Sequence, residues 1–209
     1  MKKFRIILIS LVLFFLLAYF VKSQLRINLF KSESISGYFP FNYFQPDPHP
    51  VVENPQVGML LNDSFDLEFW SESKWADLWA REKDMVKSEY VTEGVDGTKC
   101  LLIESNSDDE WAIMHYELIS VEAGDRFGYE GQVKTTGESN VLFSVQTSNE
   151  DKKVITWSYA TKTVTAARNW VEIKNEFEIP QDIKYIQFGL KGSGKGKAWI
   201  DDVSFGKLK

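Results

Sequence analysis

The feature that most constrains the fold is a succession of short apolar–polar alternations that runs from Gly58 to the end of the chain. Alternation with a period of two is typical of strands that bury one face. Turn residues such as Asp96-Gly97 and Thr136-Gly137 separate the alternating segments. Strand candidates lie near 86–92, 99–105, 111–121, 126–135, 140–148, 153–159, 169–179, 183–191 and 197–205. So many short strands with hardly any helix predict an all-β fold, an antiparallel β-sandwich of the jelly-roll type.

Two segments depart from the alternating pattern. Between Trp70 and Met85, Trp75, Leu78 and Trp79 stand at helical spacing, which predicts a short helix or a helical loop. The glycine-rich run 192–196 lacks the ordered Gly-Lys-Ser/Thr ending of a phosphate-binding loop, so it is predicted to be a hairpin turn.

The last strand candidate carries two adjacent carboxylates, Asp201 and Asp202. Counting by twos places Asp201 on the same face as Val203 and Phe205, which predicts that it points toward the core. Burying an unpaired carboxylate costs several kcal/mol, about 2–7 for a polar group and more for a charge. Asp201 therefore needs a partner, which is a metal ion, a basic side chain or a set of backbone amides.

The N-terminal segment has the pattern of an export signal. The apolar run Ile6–Val21 follows Lys2, Lys3 and Arg5, which is typical of a transmembrane anchor or of a cleaved signal segment. We expect residues 1–23 to be one or the other, and both export the rest of the chain. The expected location is the cell membrane, as a single-pass protein with its domain outside the cytoplasm, or the exterior if the segment is cleaved.

Residues 24–56 are rich in proline and aromatic residues and show no sustained helix or strand period. Because proline favours extended backbone in the residue before it, this segment is predicted to be a linker. The sandwich domain is then expected to cover residues 57–209.

Charge and cysteine content exclude some partners and chemistries. The net charge of −6 includes the basic residues around the N-terminal apolar run, so the remainder is more acidic still, and nucleic acid is not an expected partner. The single cysteine, Cys100, rules out an intramolecular disulfide. It lies in an apolar run and is predicted to be a buried, structural thiol.

Several motifs in a fixed order resemble a known family. They are Leu60–Asp66, Trp70, Asp96–Leu101, Ile119–Gly124, Phe127–Thr135, Trp170 with Phe177–Pro180, and Ala198–Val203. In this order they resemble carbohydrate-binding modules of the galactose-binding-like jelly-roll superfamily, over roughly residues 58–206. The resemblance implies glycan binding, although the superfamily also holds protein-binding and lipid-binding members.

The resemblance also implies a structural Ca²⁺ that bridges the first and last strands. Its carboxylate ligands would be Asp66, Asp96 and Asp201, with carbonyl groups of the Asp-Gly loop. Asp66 stands where the family usually has the longer Glu. The alternative is that Asp201 accepts hydrogen bonds from backbone amides or pairs with Lys99.

Sugars bind aromatic rings through their C–H faces, and amides and carboxylates through their hydroxyls. The outward side chains of 126–135, 140–148 and 183–191 would form one amide-rich surface if these strands share a sheet. The alternative is an ordinary solvated sheet face. The candidate ligand-binding residues are Glu130, Gln132, Gln146, Tyr185 and Gln187 on these strands, together with Trp111, Trp157 and Tyr159.

No set of residues predicts catalysis. The chain has two histidines and no Gly-x-Ser-x-Gly motif. We therefore expect a non-catalytic module that recognises a cell-surface or extracellular glycan. The alternative is a membrane-anchored interaction or envelope-assembly module that docks on a protein partner through the aromatic linker, Trp75 and Trp79.

Overall fold

The computed structural model describes residues 50–66 and 74–209, and thirteen strands and one short 3-10 helix (Lys83–Met85) make up the regular structure of these ranges. Seven strands form one sheet: β1 (Val51–Val52), β3 (Trp79–Ala80), β6 (Trp111–Met114), β7 (Leu118–Ser120), β9 (Asn140–Ser148), β10 (Val154–Thr165) and β12 (Tyr185–Ser193). Six form the other: β2 (Gly58–Asp63), β4 (Val86–Val91), β5 (Cys100–Ser105), β8 (Arg126–Gly137), β11 (Val171–Glu178) and β13 (Gly196–Lys207). The predicted all-β fold with two sheets is confirmed.

Some predicted features fall outside these ranges. The anchor or signal segment 1–23, most of the linker and Trp70 lie outside the described residues. Among the described residues, no helix is long and apolar enough to span a membrane. Val51 and Val52, at the end of the predicted linker, form a strand that pairs in parallel with Leu118 and Ile119.

In the seven-stranded sheet, β12 is the central strand. It pairs with β9 along one edge and with β6 and β7 along the other, and β10 forms the far edge beyond β9. In the six-stranded sheet, β13 has the same central place. It pairs with β8 on one side and with β5 and β2 on the other, while β11 and β4 lie at the edges.

The core is a layer of aromatic rings contributed by both sheets. Phe188 of β12 stacks on Phe205 of β13 with ring centroids 5.0 Å apart, and Phe127 of β8 also stacks on Phe205, at 5.6 Å. Each of these rings is fully buried, which stabilises the fold by about 1.5–3 kcal/mol per side chain. We call the face of each sheet that is turned away from this layer its outer face.

Asp201 lies on the outer face of the six-stranded sheet, so the predicted alternation in the last strand is wrong. Asp201 pairs with Gln132 of β8, but the next paired residue, Ser204, lies opposite Glu130, so β13 carries one extra residue at this point. Asp202 has a left-handed φ of 48° in this β-bulge. The bulge changes the parity of the strand, so Val203 and Phe205 face the core and Asp201 does not.

The short helix or helical loop predicted between Trp70 and Met85 is wrong around Trp75, and the helical part of the described stretch is the 3-10 helix Lys83–Met85. Trp75 is extended and forms a bridge with His115, and Trp79–Ala80 is strand β3. Trp75 is fully buried, its ring stacks on Phe65 at 6.1 Å, and its Nε1 donates to Asp63 Oδ2 at 2.8 Å. These tertiary contacts override a local spacing that weakly favours a helix.

The glycine-rich run 192–196 is a crossover between the sheets and not a hairpin turn. It connects β12 of one sheet to β13 of the other, beside the similar crossover from β8 to β9. Glu138 N donates to Lys195 O at 2.7 Å, and a Cβ atom on Gly194 would collide with Glu138 O. Glycine at 194, with a φ of 87°, allows the two crossovers to pack together.

Cys100 is buried, as predicted, with Leu102 and Trp199 in a small apolar cluster on the outer face of the six-stranded sheet. Burial, with a smaller contribution from the nearby Asp201 carboxylate, raises the pKa of the Cys100 thiol to about 11. A thiol with this pKa is protonated and unreactive at neutral pH.

Candidate functional site

The predicted surface of three glutamines is divided between the two sheets. Gln132 and Glu130 lie on β8 of the six-stranded sheet, where Glu130 Oε2 accepts a hydrogen bond from Lys174 Nζ at 3.1 Å. Gln146 and Gln187 lie opposite one another on β9 and β12 of the seven-stranded sheet. The three strands do not share a sheet, so the condition for one amide-rich surface is not met.

Gln187 connects β12 to the segment between β6 and β7 in the seven-stranded sheet. It is buried, and its Nε2 donates to His115 O at 2.6 Å in the segment between β6 and β7. Its neighbour Gln146 is half-buried on the same outer face. Of the two amides, Gln146 is therefore the one placed to meet a ligand.

Trp157 is the most exposed large apolar side chain of the described residues, with 65% of its surface accessible. On β10, Thr156 lies opposite Thr147 and Tyr159 opposite Val145, so Trp157 and Ser158 together oppose Gln146 in a β-bulge. The bulge places Trp157 beside Gln146 at the edge of the outer face.

Lys191 connects this bulge to the middle of the sheet. It lies on the outer face of β12, and its Nζ donates to Trp157 O and, at 3.4 Å, to Ser158 Oγ. The main chain of β10 at the bulge therefore lies above the outer face, where it presents the indole ring.

Trp79 stands across the same face from Trp157. It is 49% exposed and pairs with Ala112 of β6, which pairs in turn with Lys191 of β12. Paired residues on neighbouring strands point to the same side, so Trp79, Ala112 and Lys191 form one row. The spacing of strands puts the Cα atoms of Trp79 and Lys191 roughly 10 Å apart.

Two of the predicted aromatic candidates have structural positions instead. Trp111 is a core residue, 1% exposed, and its ring lies where a side chain at Gly192 would be. Tyr159 packs edge-on against Phe177 at 5.8 Å and donates its hydroxyl to Glu178 O at 2.7 Å. Tyr159 thus joins the edges of the two sheets. Tyr185, by contrast, is half-buried on the outer face with Gln146 and Lys191.

The carboxylates proposed for calcium lie at a different place, on the six-stranded sheet. Asp201 is 1% exposed; its Oδ2 accepts a hydrogen bond from Val95 N at 2.9 Å, and its Oδ1 accepts one from Asp202 N at 2.8 Å. Backbone amides, one of the alternatives predicted for this carboxylate, are therefore among its partners. Burial nevertheless raises the pKa of Asp201, so the charged form is poorly compensated.

The oxygen atoms around Asp201 fit a cation. Beside Gly94, the position that a Cβ atom would take lies 2.6 Å from Asp201 Oδ2 and 2.9 Å from the carbonyl oxygens of Thr98 and Lys99. Asp66 is tied to the same loop, since its Oδ1 accepts from Lys99 N at 3.0 Å. Carboxylate and carbonyl oxygens are the kinds of ligand that Ca²⁺ prefers.

Asp96 is not gathered with the other two carboxylates. Within the described ranges, no group of three or more His, Cys, Asp or Glu side chains comes together at metal-binding distance. Of the expected ligands, Asp66, Asp201 and the carbonyl groups of the Asp-Gly loop lie together, and Asp96 does not join them.

Residues 57–195 match the family CBM_4_9, described as a carbohydrate binding domain. The chain belongs to this family. The resemblance recognised in the order of its motifs is thereby confirmed, and the family supports glycan binding without catalysis.

Solved carbohydrate-binding modules have the same fold. The xylan-binding CBM22-1 domain of Paenibacillus barcinonensis Xyn10C is 17% identical with a TM-score of 0.52, over 74% of this chain and 97% of that one. The CBM22-1–GH10 modules of Clostridium thermocellum Xyn10B, solved with xylohexaose, are 20% identical with a TM-score of 0.54, over 74% of this chain and 29% of that one.

One curated relative is the tRNA nuclease WapA of Bacillus subtilis (strain 168), 26% identical over 122 residues. The match covers 53% of this chain but only 5% of that protein. This carbohydrate-binding module thus corresponds to a small part of that much larger chain.

In this carbohydrate-binding module, sequence reasoning missed Trp79 and Lys191 as members of the candidate face. Trp79 was missed because the helical spacing of its segment predicted a helix where the structure has strand β3. The position of Lys191 could not be predicted, because its hydrogen-bond partner is the main chain of the β10 bulge and a bulge leaves no pattern in the sequence. A lysine alone on an otherwise uncharged strand, as in β12, was the one signal available.

Proposed function

We propose that this module binds a glycan, without catalysis, on the outer face of the seven-stranded sheet. The observation that carries the proposal is that two exposed tryptophans, Trp79 and Trp157, lie on this one face with polar side chains between them. An indole ring offers an apolar surface to the C–H face of a sugar.

The polar groups on the face complete the proposed site. Gln146 provides an amide, Tyr185 a phenol hydroxyl and Lys191 an ammonium group, each able to bond sugar hydroxyls. Glu130 and Gln132, on the opposite sheet, are not part of this proposal. Trp111, Tyr159 and Gln187 support the face from within the fold.

The test is glycan binding by the full chain and by two tryptophan variants. Trp157→Ala and Trp79→Ala are each expected to weaken binding about tenfold, because an aromatic contact contributes about 0.5–1.5 kcal/mol beyond its buried area. Met59→Ala, equally exposed at 60% but on the other sheet, is the matched control. Titration calorimetry on hits from a glycan array measures the effect.

Two results would reject this proposal. Absence of saturable binding to any glycan would reject the function. Equal weakening by Met59→Ala and Trp157→Ala would reject the assignment to this face.

A structural calcium ion is part of the proposal. Asp201 Oδ2, the carbonyl groups of Thr98 and Lys99, and the nearby Asp66 would hold it. The ion would supply the positive charge that the buried Asp201 carboxylate lacks.

We also propose that residues 1–23 tether the module to a membrane or direct its export, and that the part of the linker 24–56 that precedes strand β1 (Val51–Val52) acts as a spacer. The support is the apolar run Ile6–Val21 behind Lys2, Lys3 and Arg5. A module outside the cytoplasm would meet cell-surface or extracellular glycans.

A second candidate function is docking on an envelope protein through the edge strand β10. Ile155 and Trp157 are both exposed there, at 50% and 65%, and an open strand edge can accept a strand from a partner. Ile155→Glu separates the two functions, since it would abolish capture of a protein partner and leave glycan binding intact.

A further inference from the structure

Acidic residues are distributed unequally between the two sheets. The seven strands of the sheet that carries the proposed glycan face contain no Asp or Glu, and their charged side chains are Lys162 and Lys191. The six strands of the other sheet contain Asp63, Glu89, Glu104, Glu130, Glu172, Glu176, Glu178, Asp201 and Asp202. In a chain of net charge −6, one whole sheet is thus free of carboxylates.

Lys191, in the middle of this face, is a half-buried cation with no carboxylate partner. Among the described residues no Asp or Glu oxygen lies within 4.0 Å of its Nζ. The acidic residue that influences it is Glu110, which is already bonded to Arg81 at 2.9 Å. Burial lowers the pKa of Lys191, as expected of an ammonium group without a counter-charge.

The ammonium group of Lys191 retains a donor for a ligand. An ammonium group has three donors, and those of Lys191 have two acceptors in the protein, Trp157 O and Ser158 Oγ. A negatively charged group beside Trp157 would take the third donor and neutralise the charge.

A second cation without an ion-pair partner lies toward the other end of β12. Lys152 Nζ lies 5.8 Å from the centroid of the Tyr185 ring. Its main-chain N donates to Asn149 O at 3.0 Å, which fixes the turn that carries it. Among the described ion pairs it is Lys153, and not Lys152, that pairs with Asp151. Tyr185 and Lys191 are six residues apart on one strand, roughly 20 Å.

We propose that the glycan bound by this face is an anionic polysaccharide, whose acidic groups meet Lys191 beside Trp157 and Lys152 beside Tyr185. The inference rests on the proposed function and specifies its ligand class. The outer face of the six-stranded sheet is less suited to such a polymer. Its strand β11 directs Glu172, Glu176 and Glu178 outward, and the cations beside them, Arg126 and Lys174, are already paired with Glu176 and Glu130.

The experiment compares polymers that differ in charge alone. The full chain is titrated with polygalacturonate and with the same polymer after its carboxyl groups are reduced to neutral alcohols. A sulfated dextran beside plain dextran tests whether sulfate serves as well as carboxylate. We expect binding to the acidic polymer to be about tenfold tighter than to its neutral form, and to weaken with added salt.

Four lysine variants locate the residues responsible for the preference. Lys191→Met and Lys152→Met should each reduce the preference for acidic polymer, while Lys174→Met, on the other sheet and paired with Glu130, should not. Lys152 is exposed and makes no side-chain hydrogen bond in the described structure, so its variant stays informative if Lys191→Met fails to fold. Lys191→Arg keeps the charge and should keep the preference.

The outcomes separate this inference from the proposed function. Equal affinity for acidic and neutral polymers overturns the anionic preference and leaves glycan binding in place. A preference that persists in both Lys191→Met and Lys152→Met overturns the assignment to these residues. Absence of binding to every polymer overturns both proposals.

Discussion

His115 is a buried residue whose pKa changes on folding. It is fully buried, its Nδ1 lies 3.3 Å from Glu117 O, and its Nε2 has no hydrogen-bond partner in the described structure. Burial lowers its pKa, although the carboxylate of Glu117, 3.9 Å from Nε2, acts in the opposite direction. The folded state therefore prefers the neutral imidazole.

From this follows a pH dependence of folding. Because the pKa of His115 is lower in the folded than in the unfolded state, its contribution to stability is present above about pH 6.5, the unfolded value, and is lost as the pH falls below it. The free energy of unfolding should then fall by at most about 1.4 kcal/mol per pH unit. Urea unfolding at pH 7.5, 6.5 and 5.5 measures it.

Two histidine variants test the assignment. His115→Gln should remove this part of the pH dependence, and His49→Gln, which changes the chain's other histidine, should leave it unchanged. An undiminished slope in His115→Gln would show that another group is responsible.

At the scale of strands, the crossover beside Gly194 offers a controlled comparison of crowding. Gly194 and Gly124 have nearly the same left-handed φ, 87° and 88°. A Cβ atom at Gly194 would meet the main chain of Glu138, whereas at Gly124 it would have nothing within 4 Å. Alanine at either position carries a backbone cost of about 1–2 kcal/mol.

Gly194→Ala should therefore destabilise the domain by more than Gly124→Ala does, by a further 1–3 kcal/mol or so, as overpacking typically costs. The difference between the two midpoints of urea unfolding isolates the crowding from the backbone strain. Equal losses of stability in Gly194→Ala and Gly124→Ala would mean that the β8–β9 and β12–β13 crossovers can move apart without a free-energy cost.

The strands themselves were predictable from the sequence, because alternation records which residues are buried. The segment predicted at 140–148 is strand β9, and Val141, Phe143 and Val145 are buried as expected. Pairing between distant strands leaves no such record, and this is why the glutamines of β8 and β9 were placed on one surface.

β-Bulges are the main reason why the sequence did not predict the faces on which the candidate site residues lie. One extra residue at Asp202 reversed the face of Asp201, and another in β10 moved Trp157 and Tyr159 to different environments. A bulge changes the parity of a strand without changing its composition, so the alternation in the sequence continues to suggest the wrong face. The family was predictable from the order of its motifs, whereas the surface that we propose for the glycan was not.

At the scale of the whole molecule, the proposed calcium ion connects parts of the chain that are far apart in sequence. Asp66 follows β2, the loop of Thr98 and Lys99 precedes β5, and Asp201 belongs to β13. Without a cation, the contact depends on hydrogen bonds to a buried carboxylate whose charge is not compensated. An ion that binds the folded state alone stabilises it by mass action.

Removal of calcium should therefore lower the melting temperature of the protein. At an ion concentration about a hundredfold above Kd, the stabilisation is about 2.7 kcal/mol, which corresponds to roughly 5–10 °C for a domain of this size. Scanning calorimetry with Ca²⁺ and with EDTA measures the difference. Asp201→Asn should abolish the response, whereas Asp202→Asn, its exposed neighbour, should retain it. If EDTA does not change the melting temperature of the unmodified protein, the calcium proposal is wrong. Among the described residues, Asp201 is then held by the backbone amides of Val95 and Asp202.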